Sequence, residues 1–81
     1  MRNTMRGYYV GETVPDTSFK VLRQGLQSLL AYSEAKDEYV AWSADDLNNN
    51  GKLNCYWGRY GTFDYAKQCF DMKESGKYSG N

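Results

Sequence analysis

The chain has 81 residues, and its ten lysines and arginines are matched by ten aspartates and glutamates, so its formal charge is zero. A chain of this length forms one domain whose core yields only about 3–5 kcal/mol of net stability, and its charge balance excludes a global field that would draw it to nucleic acid or to an anionic membrane. It has no apolar run near the roughly 18 residues that span a bilayer, and MRNTMRGYYV lacks the apolar stretch of a secretory signal; the expectation is a cytoplasmic protein without a membrane segment.

Residues 6–11, RGYYVG, are aromatic and β-branched and close on a glycine, which predicts a first strand. Pro15 then precedes Asp16, Thr17 and Ser18, three residues able to cap a helix, and Phe19, Leu22, Leu26, Leu29 and Leu30 recur at helical spacing. They fall within a stripe about 100° wide, which predicts a helix running to Ser33 or Ala35. Opposite that stripe, Val21, Gly25, Ser28 and Tyr32 form a second one. Its small residues admit another backbone, so it is a candidate homodimer or second contact, although Gly25 costs such a helix about 1 kcal/mol relative to alanine.

The connection SEAKDE opens an acidic segment in which Glu34, Asp37, Glu38, Asp45 and Asp46 face Lys36 alone. Residues 39–44, YVAWSA, and 52–58, KLNCYWG, are strand-like and flank DDLNNNGKL. In that stretch Asp46, Asn48, Asn50 and Gly51 match positions 1, 3, 5 and 6 of a calcium-binding loop, but position 12 is Trp57 and position 7 is Lys52. The same letters make a hairpin turn, with Asn50-Gly51 supplying a two-residue type I′ loop. That register places Val40, Trp42 and Ala44 on one face with Leu53, Cys55 and Trp57. After Gly61, Thr62 caps a second helix from Phe63 to Ser75, ended by Gly76. KYSGN, residues 77–81, reads as a disordered tail. The expected fold is a single α+β domain over 1–76, ordered β-α-β-β-α. Its sheet is three-stranded and mostly antiparallel, with two helices packed on one face.

The pattern argues against catalysis. There is no histidine for acid–base work and no Gly-rich phosphate loop, and Asp45 and Asp46 are neighbours that point to opposite faces of a strand. Two cysteines without a CxxC or a histidine do not make a zinc site, so neither metal nor cofactor is expected. Cys55 and Cys69 read as buried, reduced small hydrophobes, a disulfide being the other reading.

The surplus is aromatic: eight tyrosines, two tryptophans and three phenylalanines exceed what so small a core can hold. In the expected register Tyr39, Tyr56 and Tyr60 share the outer sheet face, joined by Tyr9. Such a face is a protein interface or a platform for stacking single-stranded nucleic acid. Bordered by Glu34, Asp37, Glu38 and Asp45, it suits a protein partner, in particular a basic one that itself binds nucleic acid. The joint expectation is a non-catalytic binding protein, of the class of small phage or mobile-element inhibitors that occupy a host or defence complex, anti-CRISPR and anti-restriction proteins among them. A nucleic-acid-binding or regulatory module is the alternative.

Overall fold

Phe19 and Val21 precede Gly25 at alternate positions, and Leu29 and Ala31 follow it likewise. In a computed structural model, which describes residues 8–76, these four side chains share one face of a β-hairpin. Its strands are β1, Phe19–Gln24, and β2, Ser28–Ser33, with one extra residue bulged out of β1 between Val21 and Arg23. β2 pairs antiparallel with β3, Glu38–Ser43, and β3 with β4, Arg59–Gly61, so the sheet runs β1-β2-β3-β4 in chain order. The helix α1, Phe63–Ser75, then packs over β2, β3 and β4. The class is α+β, with four strands and one helix among the described residues in place of three and two.

The helix expected over 16–35 is therefore a hairpin, and the reason lies in two-sided burial. Leu29 and Leu30 are adjacent and both fully buried because the sheet is covered on both faces. A strand buried on both sides reads as a continuous apolar run, which periodicity cannot separate from a helix. Leu22 and Leu26, which completed the helical stripe, are exposed. The stripe Val21, Gly25, Ser28 and Tyr32 dissolves with the helix. Val21 lies in one core, Ser28 is buried beside α1, Gly25 is at the hairpin tip, and Tyr32 stacks on Tyr39 at 4.5 Å between ring centroids. The homodimer contact built on that stripe loses its geometric basis.

The first expected strand is corrected too. Residues 6 and 7 lie outside the described residues, as does the tail 77–81, and 9–12 form a turn closed by the Glu12 N–H donating to Tyr9 O at 3.0 Å. The chain then runs along β1, where Gly11 N–H donates to Val21 O at 2.9 Å and Val21 N–H to Glu12 O at 2.8 Å.

Two cores result. On one face Phe19, Val21, Leu29, Ala31, Val40 and Trp42 are covered by Tyr8, Val14 and Leu53 from the flanking loops. On the other Leu30 and Ala41 meet Ala66 and Phe70 of α1. The helix has the termini expected of it: Thr62 Oγ1 accepts the Tyr65 N–H at 3.2 Å, and Gly76 ends it at φ 81°.

The C-terminal turn of α1 is fastened to the β1–β2 hairpin by one carboxylate. Gly25 and Ser28 close that hairpin, leaving the N–H groups of Leu26 and Gln27 without sheet partners, and Glu74 accepts them at 2.9 and 2.8 Å. It also accepts the Ser28 hydroxyl at 2.7 Å. A Cβ at position 25 would lie 2.2 Å from Glu74 Cδ, so a larger residue there would push this carboxylate off its hydrogen bonds.

Glu74→Ala should cost about 1.5–3 kcal/mol, the range for hydrogen bonds to a charged group. Gly25→Ala should destabilise the wild-type chain markedly but cost little once Glu74 is alanine, giving a coupling above about 0.5 kcal/mol in urea unfolding. Additive losses in that cycle would contradict the contact.

Candidate functional site

Between β3 and β4 the chain makes a long excursion, residues 44–58, in place of the expected second strand of a tight hairpin. The asparagine-rich corner is a turn, as expected, but of another kind. Gly51 N–H donates to Asn48 O at 3.0 Å, Asn48 N–H to Lys52 O at 2.8 Å, and Gly51 alone takes a positive φ, 78°. This is a three-residue loop with glycine in the left-handed position, and it pairs Leu47 with Leu53. The register thus differs by one residue from that of a type I′ turn, and beyond Leu53 the chain leaves the ladder for a second turn. Leu53 is buried, whereas Cys55 and Trp57, expected inside, are exposed, as is Ala44. Both cysteines are free thiols, and Cys69 is half-buried. The oxygens that resembled calcium ligands serve the backbone: Asp46 Oδ2 accepts Ser43 N–H at 2.8 Å, and Asn48 Oδ1 accepts Asn50 and Lys52 N–H at 2.9 and 3.0 Å.

Asn54 organises the next turn. Its N–H donates to Asp46 O at 2.9 Å, its Oδ1 accepts Tyr56 N–H at 2.9 Å, and its carbonyl accepts Trp57 N–H at 3.0 Å. The same carbonyl accepts the indole N–H of Trp42 at 3.1 Å, so a fully buried core residue holds the turn. Tyr60, half-buried against the same core, does likewise, since its hydroxyl donates to Cys55 O. Gly58 lets the chain pass close over the core, where a Cβ would lie 2.5 Å from Val40 Cγ2 and 2.8 Å from Trp42 Nε1. The turn displays Tyr56, 89 % exposed, beside Trp57, 60 % exposed.

A groove of about 490 Å³ runs beside this loop, lined by Asp16–Phe19, Lys36, Glu38, Cys55, Tyr56 and Tyr60. Burial, reinforced by the charges of Cys55, Glu38 and Asp46, pushes the Tyr60 hydroxyl up to about 12 from its ordinary 10. On the far side of Trp57, Asp45, Asp46 and Arg59 line a second depression. Burial raises the Asp46 carboxyl, and the Ser43 N–H and Arg59 charge oppose it. A third cleft, under α1 between Ser28, Cys69 and Lys73, holds only about 60 Å³, too small for an organic ligand.

The tyrosines expected on one outer face are divided. Tyr39 and Tyr60 lie on opposite faces, because Tyr39 pairs with Gly61 and Val40 with Tyr60. Tyr39 faces α1 and packs edge-on against Phe63 at 5.3 Å, whereas Tyr60 packs against Phe19 and Trp42. Tyr9 is exposed in the N-terminal turn, apart from the groove's lining. Of the acidic residues, Glu38 lines the groove and Asp45 is paired with Lys73 at 2.9 Å. Glu34 and Asp37 sit in the β2–β3 turn, where Asp37 accepts the Tyr32 hydroxyl at 3.0 Å and thereby raises the Tyr32 pKa. The structure thus brings together Tyr56, Tyr60 and Glu38. Asp16, Lys36, Asn54 and Trp57 are added to them; the expected register placed Tyr56 outward and Trp57 in the core, whereas the turn exposes both.

Comparison with family models, with curated proteins and with solved structures finds no significant match for the chain.

The Tyr60 environment makes a pH prediction. Its folded pKa is raised, so its contribution to stability is full below pH 10 and is lost as pH rises through about 12. Tyrosinate absorbance should show a late step near pH 12 that is missing in Tyr60→Phe, while circular dichroism still reports a folded chain. All tyrosines ionising together near their ordinary value in the folded protein would contradict the half-buried Tyr60 environment.

Proposed function

We propose that this chain is a non-catalytic protein-binding domain, with the turn Asn54–Trp57 as its principal contact and the adjoining groove as its second. The observation that carries the reading is the exposure of Tyr56 and Trp57 on a turn pinned from beneath by Trp42 and Tyr60. Two large aromatics in water forgo the burial that drives folding, and tyrosine and tryptophan are the residues that most often anchor interfaces. Holding them on a fixed turn lowers the ordering cost that a flexible loop meets on binding.

The flanks support a basic partner surface. Asp16 and Glu38 line one side of the loop and Asp45 and Asp46 the other; Lys36 and Arg59 line the same depressions, and Lys52 and Lys73 pair with Asp16 and Asp45 at 3.8 and 2.9 Å. Phosphates approaching the same aromatics would meet those carboxylates, so the stacking platform for nucleic acid is disfavoured. The non-catalytic reading rests on the chain's lack of histidine and on a loop whose polar atoms are spent on its own turn. An inhibitor that covers a surface of a host or defence complex is the narrower form of this proposal.

Tyr56→Ala and Trp57→Ala should each weaken partner binding by about 2 kcal/mol or more, with little change in melting temperature. The check is affinity capture with quantitative mass spectrometry, comparing the wild type with both variants, followed by titration of the captured protein. Unchanged affinity in both variants would overturn the proposal. So would salt-sensitive binding of labelled single-stranded DNA that disappears in Tyr56→Ala.

A further inference from the structure

The geometry points to an arginine side chain of a basic protein segment as the occupant of the groove, in the position that the Lys36 ammonium now holds. This inference rests on the binding function proposed above and names the chemistry of the partner. Its starting observation is that Lys36 Nζ lies 5.9 Å from the centroid of the Phe19 ring, so the groove already holds a cation, taken from its own chain. Phe19 forms the aromatic floor of the groove and is itself buried, with the rings of Trp42 and Tyr60 at 5.4 and 5.7 Å, so a ligand cation reaches its π face only by displacing the Lys36 ammonium that now covers it.

The carboxylates around that floor have capacity to spare. Glu38 has no ion-pair partner among the described residues. Asp16 meets Lys52 only at 3.8 Å, with both side chains mostly in water, where such a pair contributes little. Lys36 sits on the exposed turn between β2 and β3, so swinging its long side chain into solvent costs little order.

Arginine fits better than lysine for two reasons. Its planar guanidinium can lie against an aromatic face such as that of Tyr56, and its forked donors suit a carboxylate such as Glu38 bidentately. The groove, at about 490 Å³, accommodates such a side chain with part of its backbone.

The test is a titration of the ¹⁵N-labelled full chain with a short peptide of alternating glycine and arginine, its lysine counterpart, and an oligothymidylate. The arginine peptide should shift the amides of Glu38, Tyr56 and Tyr60 and bind more tightly than the lysine peptide. Lys36→Ala should tighten binding about three- to fivefold by removing the competing cation, and Glu38→Gln should weaken it about tenfold. No shifts at millimolar peptide, equal or weaker binding by Lys36→Ala, or tighter binding of the oligothymidylate would overturn the inference. Its failure is separable from that of the binding function: partner capture that still depends on Trp57 while the peptide does not bind removes the arginine site alone. Peptide binding with the expected variant pattern, together with capture indifferent to Tyr56 and Trp57, upholds the arginine site and removes the aromatic turn as the contact.

Discussion

The indole of Trp42 joins the core to the surface. It is fully buried at the centre of the sheet, edge-on to both Phe19 and Tyr60, with ring centroids 5.4 and 5.9 Å away. A tryptophan so enclosed must find an acceptor for its N–H, and the acceptor is the carbonyl of Asn54 in the exposed loop. Core packing and loop geometry are thereby one constraint. Gly58 belongs to the same constraint, because any side chain there would strike Val40 and the indole. The turn that carries Tyr56 and Trp57 is thus placed by interactions made below the surface.

The opposite face is organised independently. There α1 supplies Ala66 and Phe70 to a smaller core, and Glu74 fixes the end of the helix to the β1–β2 hairpin. A domain of this size has little apolar surface to bury on either side. Covering both faces of one sheet, with a helix on one and loops on the other, lets β2 and β3 contribute to two cores at once. The same economy leaves the loop side ending in a groove in place of a second helix.

The features legible in the sequence are those set by local chemistry. Thr62 and Gly76 mark the ends of α1 because a capping hydroxyl and a left-handed glycine act within a few residues. Val40 and Trp42 read as core, and Asn50-Gly51 as a corner, for similar reasons. The leucine stripe over 19–30 misled because leucine favours helices and because two-sided burial erases the alternation that identifies a strand. Gly25 was the contrary sign: costly in a helix, it suits the hairpin tip where the Glu74 carboxylate approaches. At the candidate site Tyr56 was legible as exposed, but Tyr60 packs on the core, Tyr39 is covered by α1, and Trp57 is exposed where burial was expected. Trp57 was misplaced by treating 52–58 as a strand, whereas Tyr39 faces away from Val40 as expected but is covered by α1, which packs on the face read as open. The pins from Trp42 and Tyr60 to Asn54 and Cys55 are long-range contacts, and no local pattern announces them.

The central claim is that the aromatic turn is held rigid before any partner arrives. The measurement that tests it most directly is backbone ¹⁵N relaxation of the free chain across residues 54–58. With the turn pinned by the core, these amides should show order parameters near those of β3, about 0.85. Values below about 0.6 over the same residues, beside an ordered β3, would show a flexible loop and contradict the account.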